Sequence, residues 1–200
     1  MARGFNARSA GLSPDLAGPV SVALAKSVER LPGPYALPSG CVFEPKWDGY
    51  RAVIVRQADG ARVWSRQGTD LTDRFPEIAA AARRMLPAGC VVDGELVALD
   101  STGRLSFDRL LRRLVTTRAN ARRLVREAPA SYMAFDLLAV NAVDLRMQRW
   151  ATRRGRLESL AAWEPPMQLT PEEVPCGPRR RRSRWSGRRR SVIRGSTRDA

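Results

Sequence analysis

The sequence predicts an α+β fold. Strand-like alternation over 41–66 turns back on itself at a hairpin, helical runs are mixed with strand-like ones, and the order of elements lacks the regular alternation of a doubly wound sheet. Residues 1–40, rich in Gly, Pro and Ser, read as a leader, with one short helix over 20–30. "CVFEPK" and "YRAVIVRQ" alternate as strands, and Asp59-Gly60 turns the chain into "ARVWSR". "FPEIAAAARRML" reads as a helix with Pro76 in its first turn. "CVVDGELVAL" is a further strand closed by the turn "DSTG", and Ser106 caps a helix, "FDRLLRRL", whose Phe107, Leu110, Leu111 and Leu114 share a face. "SYMAFDLLAV" is the last strand, followed by an amphipathic helix over 149–163 with Trp150, Leu157, Leu160 and Ala161 on its buried side. Residues 41–170 thus form the folded domain. The arginine-rich segment 171–200 has no apolar period and is expected to be disordered on its own.

Composition narrows the function. The 200 residues carry a net charge of +15, which favours polyanionic partners such as nucleotides and nucleic acid. Residues 171–200 hold 10 arginines against 3 acids, +7, and residues 1–170 supply 25 − 17 = +8. The apolar run "VSVALA" is too short to span a membrane, so the expectation is a cytoplasmic chain with no membrane partner. Cys41, Cys90 and Cys176 are far apart and the chain has no histidine, which argues against a disulfide framework or a zinc site. Arginine supplies nearly all the positive charge: Lys26 and Lys46 are the only lysines. A guanidinium stays protonated, whereas an amine can lose its proton and attack, so Lys46 is a candidate nucleophile.

Residues two apart on a strand point the same way, about 7 Å apart, so Glu44 and Lys46 share a face, as do Asp93 and Glu95. Each pair could be a solvated strand face, but the flanks "CVF", "AVIV", "CVV" and "LVAL" imply partial burial, where charged groups need partners or a ligand. Gly49 and Gly94 each follow an aspartate in a strand-like run, the pattern of a bulge or a close backbone approach. Arg66, beside a turn at Gly68, offers a phosphate or ribose contact.

The blocks "EPKWDGYRA", "SRQGTDLT", "VVDGELVALD" and "MAFDLL", in this order and followed by "DLR" at 144–146, resemble the adenylylation domain of bacterial ATP-dependent DNA ligases, members of the covalent nucleotidyltransferase superfamily. The resemblance covers roughly residues 19–170. It implies an ATP-grasp-like nucleotidyltransferase fold with antiparallel sheets around a nucleotide cleft. It also implies a role for each matching residue. Lys46 matches the lysine that attacks the α-phosphate of ATP to form lysine-AMP and expel pyrophosphate, and Glu44 the residue that receives the adenine amino group. Arg51, in the same block as Asp48 and Gly49, lies near the nucleotide or the DNA phosphate. Arg66 matches the arginine on the ribose or phosphate side. Glu95 matches the carboxylate on the ribose or metal side, on a strand shaped by Asp93 and Gly94. Phe135 matches the aromatic that stacks on adenine. The implied cofactors are ATP and Mg²⁺ or Mn²⁺, and the implied partner of the monomeric chain is nicked duplex DNA.

Family members continue into E-G and K-x-K blocks and an OB-fold domain, none of which appears after "PPMQLTPEE". The expectation is therefore an incomplete adenylylation domain that forms at most a trace of protein-AMP, since the missing lysines would neutralise the α-phosphate and favour a neutral nucleophile. The tail resembles a frameshifted reading of GC-rich sequence, with a basic nucleic-acid-binding tail as the rival. The functional alternatives are an RNA ligase or capping-type nucleotidyltransferase and a non-catalytic nucleic-acid-binding remnant.

Overall fold

The computed structural model describes residues 11–23, 26–28, 42–171 and 191–194. Strands β3 (Tyr50–Gln57), β4 (Gly60–Ser65), β5 (Cys90–Ala98), β6 (Ala130–Val140) and β7 (Val143–Asp144) form a sheet in the order β4-β3-β5-β6-β7, antiparallel throughout. One strand departs from the antiparallel expectation: β8 (Met167–Leu169) joins β6 in parallel, because the chain first crosses the sheet in a helix and returns in the same direction. A second sheet is built from β1 (Lys26–Val28), β2 (Val42–Pro45) and β9 (Ser191–Arg194), with β9 in the middle.

Burial alternates along the strands as a two-residue period requires, and the two faces of the larger sheet do different work. On one face Ala52, Ile54, Val92, Leu96, Tyr132 and Leu137 meet α2 (Pro76–Met85), α3 (Phe107–Leu114) and α5 (Trp150–Glu158) through Ile78, Leu110 and Leu157, all buried in one core. On the other face two smaller apolar clusters flank a polar centre. Val53, Val55, Val91 and Leu138 pack against Leu16 and Val20, and Trp47 packs against Val97 and Met133.

Arg113 of α3 is fully buried in the helical layer, yet fully satisfied. It makes a bidentate pair with Glu77 of α2 (2.7 and 2.9 Å), donates to the carbonyls of Arg74 and Ala128, and stacks on Phe75 with 4.8 Å to the ring centroid. The Ser106 hydroxyl accepts from the Arg109 amide, the expected N-cap.

Several sequence expectations need correction. The helix over 20–30 is not formed: residues 20–23 are irregular and Lys26–Val28 is a strand, in keeping with the β-branched Val20, Val22 and Val28. The helical turn lies earlier, at α1 (Pro14–Ala17), and the segment around it is docked on the sheet rather than merely leading into it. The last helix stops at Glu158, where the Ser159 hydroxyl bonds back to the Gly155 and Arg156 carbonyls and Trp163 Nε1 caps the Leu157 carbonyl. A helix unforeseen from the sequence, α4 (Arg118–Glu127), buries only Ala121 and Leu124, too few apolar residues to show a period. Within the segment expected to be disordered, β9 is a strand held on both sides by β1 and β2, and the remainder of 172–200 lies outside the described residues. Of the cysteines, Cys90 is buried and its thiol is pushed up to about 11 by burial, while Cys41 and Cys176 are outside the description of side chains.

Candidate active site

β2 ends at Pro45, so Lys46 lies in the irregular link to β3 rather than on the strand itself. The expected common face of Glu44 and Lys46 is therefore corrected. Glu44 is 3% exposed, whereas Lys46 and Asp48 are exposed to solvent. Gly49 brings the link against β5: its amide donates to Glu95 Oε1 at 3.2 Å, and a Cβ there would stand 2.3 Å from the Leu96 carbonyl oxygen. Only glycine permits that approach.

β5 carries Asp93 and Glu95 on the face away from the helices, opposite Val53 and Arg51 of β3. Gly94 between them points into the helical core, where a Cβ would meet the Tyr132 ring at 2.4 Å. Tyr132 fills that space and shares its hydroxyl between the Ala52 and Val92 carbonyls, and burial pushes its phenol well above the ordinary value. The β5–β6 register slips at the same point. Asp93 pairs with Asp136 and Gly94 with Ala134, leaving Phe135 as the extra residue of a bulge. The bulge puts two consecutive residues, Phe135 and Asp136, on the face that carries Arg51 and Asp93.

Arg51 organises this centre. Its Nε and Nη2 donate to Asp93 Oδ1 and Oδ2 at 3.1 and 2.5 Å, Nη2 also donates to the Ala23 carbonyl at 2.7 Å, and the guanidinium lies 5.4 Å from the Phe135 ring centroid. Burial alone would lower its pKa, but Asp93 more than offsets that and the net shift is upward. Arg51 is thus engaged with the protein itself, with Asp93 as its partner, and its guanidinium sits over the Phe135 ring. Asp136 is held by Arg153 through two contacts of 2.8 Å, and Glu44 by Arg154 at 3.4 Å. Arg66 is exposed in the turn after β4, one step past the last β3–β4 pair, Ala52 with Ser65. Neither Lys46 nor Arg66 is drawn into these contacts.

Among the described residues no three Asp, Glu, His or Cys side chains converge. A magnesium ion does not require such a cage, because it characteristically takes one or two carboxylates and completes its shell with water and substrate phosphates. Asp93, Asp136 and Glu44 are bound to arginines, and Glu95 accepts from the Gly49 amide at the link that carries Lys46.

Sequence reasoning missed Arg153, Arg154 and Thr170. One signal was present: Trp150, Arg154, Leu157 and Ala161 fall at i, i+4, i+7 and i+11, so the buried stripe of the last helix contains an arginine. Such a residue has to find partners inside the protein.

An antiparallel sheet in this order, with helices on one face and a lysine-bearing link folded over the other, has the architecture of a DNA ligase adenylylation domain. The crystal structure of the ligase domain from M. tuberculosis LigD superposes with a TM-score of 0.50 at 29% identity, covering 66% of this chain and 40% of that one. The chain belongs to the ATP dependent DNA ligase domain family, whose model matches residues 14–174. Similar curated proteins include DNA ligase C2 of Mycolicibacterium smegmatis, 39% identical over 76% of this chain, and DNA ligase C of Mycobacterium tuberculosis, 40% identical over 70%. The matched regions span 42% and 37% of those relatives' lengths.

Proposed function

We propose that this chain carries the nucleotide-charging chemistry of an ATP-dependent DNA ligase, with Lys46 as the nucleophile, acting in DNA repair. The observation that supports this most is the clamp between Gly49 and Glu95. It sets the link carrying Lys46 against the strand that carries Asp93 and Glu95, beside the Arg51–Asp93–Phe135 unit. In this reading the neutral Lys46 amine attacks the α-phosphorus of ATP, a P–N bond forms, and the bond to the β-phosphate oxygen breaks as pyrophosphate leaves. Glu44 accepts the adenine amino group, Phe135 stacks on the base and Glu95 takes the ribose or metal side. Asp48 flanks Gly49 at the mouth of the site. Arg51 keeps Asp93 and Phe135 in place, and Arg66 reaches the ribose or phosphates from the β4 turn. Bound Mg²⁺ or Mn²⁺ would neutralise phosphate charge beside Glu95. The adenylyl group then passes to the 5′-phosphate of a nick in duplex DNA, and a 3′-hydroxyl displaces AMP. The domain limits go with the reading: 41–170 is the catalytic unit of a monomer, preceded by the 1–40 segment and followed by a basic 171–200 segment. The reaction is placed in the cytoplasm, and no helix among the described residues is long and apolar enough to cross a membrane.

The test is a competition between α-labelled ATP and α-labelled GTP for covalent attachment to the chain, followed by a chase with nicked, 5′-phosphorylated duplex. A trace of ATP-derived label that moves to the DNA end is the expected result. Preferential attachment of GMP would assign a capping-type activity instead.

A further inference from the structure

Lys46 itself is exposed, but the residues on either side of it are held by one block of side chains. Two residues before it, Glu44 Oε1 accepts from Arg154 Nη1 at 3.4 Å, a contact with both side chains buried. One residue after it, Trp47 Nε1 donates to Thr170 Oγ1 at 3.0 Å, again buried. These two anchors are themselves joined, because Arg154 Nη2 donates to the Thr170 carbonyl at 2.7 Å. The block is fixed to the scaffold at both ends. The Thr170 amide donates to the Ala134 carbonyl of β6 at 2.8 Å, and Arg154 Nε donates to Glu158 of the same helix at 2.9 Å.

We infer that Arg154 is a positioning residue that, together with Thr170, aims Glu44 and the Lys46 segment and thereby sets the preference for a 6-aminopurine nucleotide. The inference rests on the adenylylation reading above. Its chemistry is that of hydrogen-bond sign. A carboxylate only accepts, adenine offers an amino group at C6, and guanine offers a carbonyl there. An ionised, correctly aimed Glu44 therefore attracts the first base and repels the second. A buried carboxylate that loses its guanidinium partner tends to take up a proton or turn away, and either change removes the discrimination. Thr170 acts on the other side of Lys46: without its hydroxyl, Trp47 loses the Thr170 acceptor and the segment loses one of its tethers.

Because Lys46 and Lys26 are the only lysines, the test needs no turnover. The full chain is acetylated with a limiting amine reagent in the presence of Mg²⁺ and the α,β-methylene analogue of ATP or GTP, which cannot transfer its nucleotidyl group. Peptide mass spectrometry then gives the nucleotide concentration that half-protects Lys46, with Lys26 as internal reference. The wild-type chain should be protected by the ATP analogue at lower concentration than by the GTP analogue. Arg154→Met should shrink that ratio about tenfold, the scale of one charge-assisted hydrogen bond. Arg154→Lys should recover part of it. In a Glu44→Gln background, Arg154→Met should change the ratio no further. Thr170→Val should weaken protection by both analogues alike.

An unchanged ratio in Arg154→Met, or an equal additional loss in the Glu44→Gln background, would overturn the inference while leaving the adenylylation site intact. Circular dichroism checks that each variant folds. If Arg154→Met does not fold, Arg154→Lys carries the same decision, since full wild-type selectivity at reduced stability would make Arg154 merely structural. Failure of the ATP analogue to protect wild-type Lys46 would instead sink the adenylylation reading and the inference with it.

Discussion

Glycine 49 and glycine 94 show how little room the site leaves for variation. A methyl group at 49 would press on the Leu96 backbone carbonyl at 2.3 Å, and one at 94 on the Tyr132 ring at 2.4 Å and the Met133 carbonyl at 2.6 Å. Gly94→Ala should therefore destabilise the fold by about 1–3 kcal/mol, read as a shift in the urea midpoint. Gly49→Ala should act chiefly on nucleotide attachment, since it moves an exposed link rather than a core strand. Gly60→Ala, with open space around the new methyl, is the control and should change neither. At this scale the sequence was legible where residue type alone carries meaning: one of only two lysines among arginines, glycines after aspartates, and a paired D-G-E. It was not legible where a contact depends on distant parts of the chain. Nothing local to Arg51 tells that it will face Asp93, 42 residues away, or that Glu44 will meet Arg154, 110 residues away.

Elements are tied together by buried and half-buried arginines, and two of these ties give opposite kinds of prediction. Arg113 links α3 to α2 from a fully buried position, so Arg113→Met would strand the Glu77 carboxylate and leave two carbonyls without their donor. A loss of about 3–5 kcal/mol in denaturant unfolding is expected, and a loss below 1 kcal/mol would show that the helical layer does not depend on it. Arg146 links α1 to β7 at the surface by pairing with Asp15 and Asp144. Asp15 is held below the usual carboxylate range by Ser13 first and by Arg146, and Asp144 by Arg146. Because both folded-state pKa values are depressed, the stability they contribute is present above the unfolded carboxylate range. It is lost as pH falls through the lower folded values. Arg146→Gln should therefore lower the melting temperature slightly at pH 6 and make no difference near pH 2, with a small effect because these groups are exposed and screened. The strands and three of the helices were legible from their periods. α4 was not, because it has two buried residues, and β1, β7, β8 and β9 were not, because two to four residues without an alternating flank show no period.

Across the whole molecule, the larger sheet separates stability from chemistry. Its helical face is an apolar core closed by Tyr132 and Leu137, whereas its other face holds arginine–carboxylate pairs between two small apolar clusters. That division explains why the fold class followed from sequence patterns, which report apolar periodicity, while the polar centre emerged only from the register of β5 against β6 and its bulge at Phe135. The net charge of +15 is consistent with a polyanionic substrate. The central claim is that one amine, Lys46, carries the nucleotide. Incubating the chain with ATP and Mg²⁺, digesting it and mapping AMP by mass spectrometry tests this most directly. A trace of AMP is expected on the peptide containing Lys46, in an acid-labile bond, and none on Lys46→Ala. AMP on another residue, or undiminished attachment in Lys46→Ala, would contradict it.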